Sequence, residues 1–598
     1  LTASTKPRAF LNVERSASGR RWTARLEDPR LAEAISQRHD LPEILGRVLA
    51  ARGVGVDEAE AFLTPTIRTL MPQPSALQDM EKGATRLAEA ITAGQKIGVI
   101  ADYDVDGVSS AAMLWLFLAS VGSAATVHIP DRITEGYGPS ARAVEQLKAQ
   151  GAEILVTLDC GVMAHDPLAR AAELGLTTII VDHHQAGEIL PEAHAVINPN
   201  RQDDVSGLGY LCAAGVTMIF IAAVNRMLRQ TGWYKPSQPE PNMLQWLELV
   251  SLATVCDVVP LKGLNRAYVT QGLKIMARRE NVGLSALADV SRLRRKPDTY
   301  ALGYLLGPRI NAAGRIGNAA LALRLLTTTD RGEAAQIAQE LERLNRERQE
   351  IELAVVDHAM VQADNMLGVE HRASVLVVSG KGWHPGVVGL AAARLKERFN
   401  LPSFVLAEDR DGVLASGSGR SISGVDIGRR VREAFEAGLI EKGGGHAMAA
   451  GLTVRVERLG DLRAFLEQHL APEVQAAQDR ALSIDAALTA GAATLDLIEL
   501  LEQAGPYGTA HPSPVFAFPA HRVLYADRAG GDHIRCTLAS ADGRKLKAVA
   551  FRAMGTELGE LLLSERQMPL HIAGRLTIDD WSGTRVPSLH IEDAARVS

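Results

Sequence analysis

The sequence predicts an α/β protein of several domains: a parallel-sheet domain, one long bridging helix, a second α/β domain and a small C-terminal β-barrel. Three observations predict it. Between about residues 94 and 199, short apolar runs alternate with helical stretches, the pattern of βαβ units in a parallel sheet. Residues 333–366 hold no Gly or Pro, and their apolar positions step by three, four and seven, as on one face of a helix. From residue 514 onward, short strand-like runs are broken by turn dipeptides, as in a small barrel.

In chain order, residues 1–75 read as an N-terminal extension. Residues 76–332 hold the parallel sheet, with strands at 96–101 (KIGVIA), 154–158, 177–181 and 195–197, a helix at 109–119, and mostly helix from 220 to 290. The helix at 333–366 carries Ile337, Leu341, Leu344, Ile351 and Val355 on one stripe and is about 50 Å long at 1.5 Å per residue. Arg348 falls on that stripe, so the helix is expected to bridge two domains rather than lie in one core. Residues 367–480, opened by a strand at 374–378, form the second α/β domain. Residues 481–598 hold the barrel, with turns at Asp542-Gly543 and Ser582-Gly583.

Of the 598 residues, 46% are apolar and 22% charged, which are globular values. Aromatics are only 4%, and the abundance of Ala and Leu favours helix over a β-rich or disordered chain. Lys and Arg number 64 against 70 Asp and Glu, a net −6, so any polyanion must be met by local patches. No apolar run reaches the ~20 residues of a bilayer span, and the first residues show no signal-peptide-like apolar segment. Cys160, Cys212, Cys256 and Cys536 are widely spaced, which disfavours a disulfide framework or a zinc ribbon. The expectation is a cytoplasmic protein without membrane contact.

The chemistry lies at the strand ends. DYDVDG (102–107) follows the first strand, LDCG (158–161) the second and VDHH (181–184) the third, while Asp257 ends an apolar helical run. In an open parallel sheet, ligands bind in the crevice at the strand carboxyl ends. One Asp-Gly after a strand is ordinarily a turn; five or six acids gathered in one crevice repel unless cations neutralise them. Carboxylates with imidazole suit Mn²⁺ or Mg²⁺, and there are oxygens enough for two ions. Cys160 and Cys256 read as small buried residues.

These motifs resemble, in order, the four of the DHH phosphoesterase superfamily. GWHPGVVGLAAARL (382–395), SGSGRS (416–421) and GGGHAMAAG (443–451) resemble the DHHA1 domain. With the bridging helix, the barrel and the opening VERSASGRRW, nearly the whole chain resembles the RecJ family of single-strand-specific 5′→3′ DNA exonucleases, which act in repair and recombination. The resemblance implies that Asp159 bridges two Mn²⁺ or Mg²⁺ ions, that Asp104, Asp106, His183 and Asp257 are ligands with Asp102 close by, and that His184 is a catalytic or orienting neighbour. Related pyrophosphatases carry His where this chain has Ile100, so Asp102 is expected to fill that ligand role, and the division of ligands between the ions stays open.

Arg132, Arg309, Arg315 and Arg420 are candidate phosphate contacts. GPRINAAGR (307–315) reads as a Gly-rich turn, and SGSGRS and GGGH as backbone cradles for an anion. The resemblance assigns Arg132, Arg315, Ser418 and Arg420 to a 5′-phosphate pocket; His446 reads either as a contact to the phosphate at the cleavage site or as a turn residue, and His384 reads as structural. The barrel resembles an OB-fold, which binds single strands on aromatics beside a basic groove; its candidates are Phe516, Phe518, Tyr525, Phe551 and Trp581, with Arg544, Lys545 and Lys547. Expected partners are single-stranded DNA, a helicase and a single-strand-binding protein, with the chain a monomer. Two other readings are a phosphoesterase for small substrates, disfavoured by the barrel, and a non-catalytic DNA-binding scaffold, disfavoured by the complete set of acids.

Overall fold

The computed structural model describes residues 8–369, 373–477, 481–565, 568–580 and 583–597. The chain forms two compact units, Ile67–Ala477 and Leu1–Thr66 with Gln478–Ser598. Among the described residues no helix is long and apolar enough to cross a membrane.

The larger unit opens with five strands, β1 (Ile97–Ala101), β2 (Ala125–His128), β3 (Ile154–Leu158), β4 (Thr177–Val181) and β5 (Ala195–Ile197). All pair in parallel in the order β2-β1-β3-β4-β5. Val99, Val156 and Ile179 enter a large core on one face, and Ile100, Leu155 and Ile180 a smaller core on the other. Burial on both faces is why these strands read as unbroken apolar runs. The edge strand β2 escaped the sequence reading because it is short and only partly buried. The strand order reverses between β1 and β3, because β2 is added on one side of β1 and β3 on the other, so the crevice beyond their carboxyl ends is the natural ligand site.

The bridging helix runs from Arg331 to Val369, 39 residues. Ile337, Leu341 and Leu344 pack in the first domain's core, whereas Val355, Ala359 and Ala363 pack in the second. Between them, buried Arg348 bonds Glu352 and Asn345, and Arg394 joins from the second domain. A polar residue on the stripe therefore marks the change of core, as expected.

The second domain contains β6 (Leu376–Lys381), β7 (Ser403–Glu408), β8 (Leu414–Arg420), β9 (Lys442–His446) and β10 (Ala449–Arg455). Their order is β9-β10-β8-β7-β6, with only β6 and β7 parallel. Three glycine motifs differ from expectation. GPRINAAGR lies on the helix Gly307–Ile316, where a Cβ on Gly307 would collide with Cys256 Sγ and one on Gly314 would reach within 2.6 Å of the Tyr103 carbonyl. SGSGR lies in β8, paired on both sides, and its glycines admit the Val405 backbone and the Phe404 ring. GGGH forms β9, with Gly428 of the neighbouring helix needed to pass the His446 carbonyl. Glycine serves close packing at these sites rather than an anion-cradling turn.

In the smaller unit, strands Phe516–Ala529, His533–Ala539, Lys545–Ala550, Val586–Arg596 and Pro569–Asp579 close into a barrel, because the first also pairs with the last. The N-terminal residues fold with it. Arg21–Ala24 pairs in parallel with Ala481–Ile484, and buried Trp22 donates to Asp593 at 3.0 Å. Arg52 meets Asp485 at 2.7 Å with both side chains buried.

Within the larger unit, Glu248 is buried in the first turn of the helix Leu247–Cys256. Burial, with the charge of Glu280, lifts its carboxyl to about 8. A carboxyl that holds its proton more tightly in the folded state supports the fold at low pH and withdraws that support as pH rises through about 8. Thermal melts should therefore show Glu248→Gln several degrees more stable than wild type at pH 9 and equal to it near pH 5; an equal difference at both values would exclude this origin.

Candidate metal centre

The acids predicted from the strand ends converge. Asp102 follows β1, Asp159 follows β3 and His183 and His184 follow β4, while Asp257 caps the C-terminus of the helix Leu247–Cys256. Three groups present ligand atoms within 4.8 Å of one another: Asp102, Asp104 and Asp159; Asp106, His183 and Asp257; and Asp159, His183 and His184. The first two share no residue. His183 Nε2 joins them, at 3.3 Å from Asp159 Oδ1, 3.8 Å from Asp106 Oδ2 and 3.7 Å from Asp257 Oδ2.

Each side chain is held by local backbone. Asp104 is the N-cap of the helix Val105–Ser120, accepting from the Asp106 and Gly107 amides at 2.9 and 3.2 Å. Asp106 accepts from the Ala213 and Ala214 amides at 2.7 and 2.8 Å, at the N-terminus of the helix Ala213–Gln230, where a carboxylate is favoured by the dipole. His183 Nδ1 lies 3.1 Å from the Leu211 carbonyl, which assigns the proton to Nδ1 and leaves the Nε2 lone pair facing three carboxylates. That arrangement is repulsive without a cation and is the usual outer support of a metal-bound imidazole.

Asp182 has another task. Its oxygens accept from the Val162, His183 and His184 amides and from His184 Nδ1 at 2.8 Å. Burial opposes its charge, but the bond and charge of His184 prevail, with His183 and the Val162 amide, and hold it at about 2. For His184, burial lowers the imidazole, yet the bond and charge of Asp182 lift it above its ordinary value. Asp182 thus orients the histidines instead of facing the crevice. Tyr137, absent from the predicted set, donates to the Asp159 carbonyl at 3.0 Å and lies 3.1 Å from His184 Nδ1; its one sequence signal is its place between two glycines that take positive φ.

The donor set fits divalent cations. Burial raises the carboxyls of Asp102, Asp106, Asp159 and Asp257, and neighbouring carboxylates push each further. One oxygen of Asp102, of Asp159 and of Asp257 is buried without a hydrogen-bond partner. Such atoms are costly unless paired, and hard oxygen donors beside an imidazole suit Mn²⁺ or Mg²⁺. Asp159 and Val258, which follows Asp257, both adopt φ near +60°. For β-branched Val258 this costs about 1–3 kcal/mol, strain of the kind stored at functional sites.

A second cluster, of opposite sign, adjoins the first. Arg315 donates to the Gly386 carbonyl across the two domains at 3.1 Å, and Arg420 donates to the Gly419 carbonyl at 2.9 Å. Burial and the charges of Arg132, Arg348 and Arg420 lower Arg315 to about 10; burial and Arg132 lower Arg420. Arg132 lies over the Tyr103 ring at 5.3 Å. Among the described residues none of Arg132, Arg315 and Arg420 has an ion-pair partner within 4 Å, whereas Arg309 is committed to Glu342 at 2.7 Å and drops from the predicted set. A Cβ on Gly389, in the first turn of the helix Val388–Phe399, would lie 3.0 Å from Arg420 Nη2 and 3.5 Å from Ser418 Oγ. Mutually repelling guanidinium groups, with Arg420 beside a helix N-terminus, have the chemistry suited to an anion. His446, exposed at the end of β9, is lowered by partial burial and by the charges of His184 and His183, which sets it near the first cluster. His384 Nδ1 accepts from the Gly386 amide at 3.0 Å, a turn-stabilising role.

Of the barrel aromatics, Phe516 and Phe518 are buried in the core, while Tyr525 and Phe551 are half-exposed. Arg544, Lys545 and Lys547 are exposed. Trp581 lies outside the described residues.

Comparison with known proteins gives consistent likenesses. Residues 96–254 match the DHH family N-terminal domain, 372–471 the DHHA1 domain and 484–593 the RecJ OB domain. The single-stranded-DNA-specific exonuclease RecJ of Salmonella typhimurium is 34% identical over 579 residues, covering 93% of this chain and 96% of that protein. The Bacillus subtilis protein of the same name is 30% identical, covering 97% of this chain and 71% of its own. The crystal structure of RecJ from Thermus thermophilus in complex with Mn²⁺ matches with a TM-score of 0.78 at 27% identity, over 95% of this chain and 78% of that one.

The crowded acids make metal-free protein electrostatically stressed. In chelator at pH 8, Asp159→Asn should melt higher than wild type because it removes one buried charge. With millimolar Mn²⁺ the order should reverse, since a ligand that binds only the folded state raises stability by RT ln(1 + [L]/Kd). Melting curves that keep the same order in both buffers would exclude Asp159 from the metal centre.

Proposed function

This chain belongs to the RecJ family, and on that premise we propose that it is a single-stranded-DNA-specific exonuclease that works 5′→3′, uses Mn²⁺ or Mg²⁺ and releases nucleoside 5′-phosphates. The observation that carries this reading is the adjacency, within one compact unit, of buried carboxylates with unpartnered oxygens and unpaired guanidinium groups. In this reading Asp102, Asp104 and Asp159 would hold one ion and Asp106, His183 and Asp257 the other, with Asp159 placed to serve both. Bound there, two divalent ions supply charge neutralisation and Lewis-acid polarisation for phosphodiester hydrolysis.

The chain's own groups do the rest. Arg132, Arg315, Ser418 and Arg420 take the terminal phosphate. A terminal monoester carries a charge near −2, an internal diester −1, so several guanidinium groups without carboxylate partners favour a strand end over its interior. That preference makes an exonuclease; the family resemblance supplies the 5′ sense. His184, with Nδ1 committed to Asp182, has Nε2 left to hold or pass a proton. His446 approaches from the second domain and contacts the phosphate at the cleavage site. Residues 76–332 carry the chemistry, 333–366 bridge, 367–480 cover the crevice and 481–598 grip the strand. A cleft built from two domains on one stiff helix admits a single strand and refuses a duplex. The setting is the cytoplasm, in DNA repair and recombination, where a helicase and a single-strand-binding protein present the strand to a monomeric enzyme.

Two measurements test this. Single-stranded DNA labelled at its 3′ end and bearing a 5′-phosphate should yield a ladder of progressively shorter labelled fragments with Mn²⁺. Asp159→Ala should slow that reaction more than ~10³-fold, because loss of a shared ligand disturbs both ions; wild-type turnover by the variant would refute the assignment. Separately, Arg420→Ala should weaken binding of a 5′-phosphorylated strand about 10–100-fold, the worth of a charge-assisted contact, with a much smaller loss on a 5′-hydroxyl strand. Equal losses on both would take Arg420 out of the phosphate pocket.

A further inference from the structure

One exposed feature of the larger unit lies outside both clusters. Tyr300 and Tyr304 stack on each other, with ring centroids 5.1 Å apart and planes 22° from parallel. They are 52% and 71% exposed. The residues between them open a wide, π-type helical segment, Ala301–Leu306, which holds the two rings one above the other on its outer face. Stacked together, the two rings form an exposed apolar surface that belongs to none of the core clusters.

The segment leading into this pair is basic. Arg292, Arg294, Arg295 and Lys296 are all exposed, and the stretch from 292 to 296 holds no acid. Arg295 pairs with Asp298 at 3.2 Å and stands 5.9 Å from the Tyr300 ring centroid. Arg292, Arg294 and Lys296 have no ion-pair partner within 4 Å among the described residues, in a protein whose net charge is −6. The place is tied to the metal centre through packing. Cys256 Sγ donates to the Leu302 carbonyl at 3.4 Å, and Asp257 is the next residue. A Cβ on Gly303 would touch Val255. The tyrosines therefore ride on a segment fixed against the helix that delivers a candidate metal ligand.

We propose that Tyr300 and Tyr304, with Arg292, Arg294 and Lys296, form a stacking platform on the catalytic domain for bases of the DNA strand beyond the scissile bond. The platform rests on the nuclease reading above and adds a contact separate from the terminal-phosphate arginines and from the barrel. Tyr300 is covered on one side by Tyr304 and approached by Arg295, so the outer face of Tyr304 takes the base. The cations follow the phosphates on either side. Base-on-aromatic stacking beside unpaired cations is how single strands are held without sequence preference. An acidic protein segment would use the cations but leave two stacked rings without purpose, so the aromatic pair favours nucleic acid.

The test is fluorescence anisotropy with 5′-phosphorylated oligonucleotides in chelator, comparing a 20-mer with a 3-mer too short to leave the phosphate pocket. Tyr300→Ala/Tyr304→Ala should bind the 20-mer about 10-fold more weakly, the lower range of a lost stacking contact, and the 3-mer within 2-fold of wild type. Tyr304→Phe, which keeps the ring, should bind like wild type and guards against a folding artefact. Arg294→Ala/Lys296→Ala should flatten the salt dependence of 20-mer binding. Independently, a 20-mer carrying iodouracil near its 5′ end should photo-cross-link to Tyr304. Unchanged 20-mer affinity in the double tyrosine variant, with no cross-link at Tyr304, would overturn the platform and point to a protein partner. Failure of the wild type itself to bind or degrade single strands would instead overturn the nuclease reading, and the platform with it.

Discussion

Mutual repulsion among buried carboxylates is the constraint on which the site depends. Asp102, Asp104, Asp106, Asp159 and Asp257 converge on one crevice, Asp102, Asp106 and Asp159 buried there, and each carboxylate raises the cost of ionising its neighbours. The fold bears this cost because the acids are held by parts that cannot move independently. Asp104 is fixed as a helix cap, Asp106 by the first amides of another helix, and Asp159 by a left-handed backbone clamped through Tyr137. Asp182 absorbs three amides and an imidazole. Rigid placement prevents the acids from relaxing apart, which keeps the crevice poised for cations.

Much of this could be read from sequence, for a local reason. A parallel strand delivers its next residue to the crevice, so DYDVDG, LDCG and VDHH announce their position by following an apolar run. Sequence does not distinguish Asp182 from Asp159, because both follow buried strands. Only the count of nearby amides separates an orienting acid from one with oxygens to spare. Arg309 and Arg315 sit on one short helix, and the choice between them depends on Glu342, far along the bridging helix. The glycine motifs misled for a related reason. Glycine spacing reveals where a Cβ is forbidden but not what forbids it, and here the obstacles are the Tyr103 carbonyl, the Phe404 ring and the Val405 backbone. The pairing of Arg21–Ala24 with Ala481–Ile484 joins segments from opposite ends of the chain, and no local pattern encodes such a partner.

The bridging helix shows how one substitution in a periodic pattern can carry architectural information. An unbroken apolar stripe over 39 residues would favour a single continuous core. Arg348, satisfied by Glu352 and Asn345, interrupts it where the first core ends and the second begins. The charge of Arg348 also reaches Arg315. The element that joins the domains thus contributes to the positive field at their junction.

The two charge clusters depend on each other. Arg315 is repelled by three guanidinium groups and attracted by Asp104. Tyr103, between Asp102 and Asp104 in sequence, lies beneath Arg132 and is pushed up to about 12 by burial and by Asp102. It feels the charges of Asp104 and Arg315 as well, so both clusters act on this one residue. A free phosphate would be drawn to the arginines and a free cation to the carboxylates. In the proposed reading, a strand with its terminal phosphate in the arginine cluster would bring its next, singly charged phosphate toward the carboxylates, where bound cations would lower the cost of its approach. Opposite charges set side by side thus link, in that reading, the direction in which a strand would lie to the dependence of its cleavage on metal.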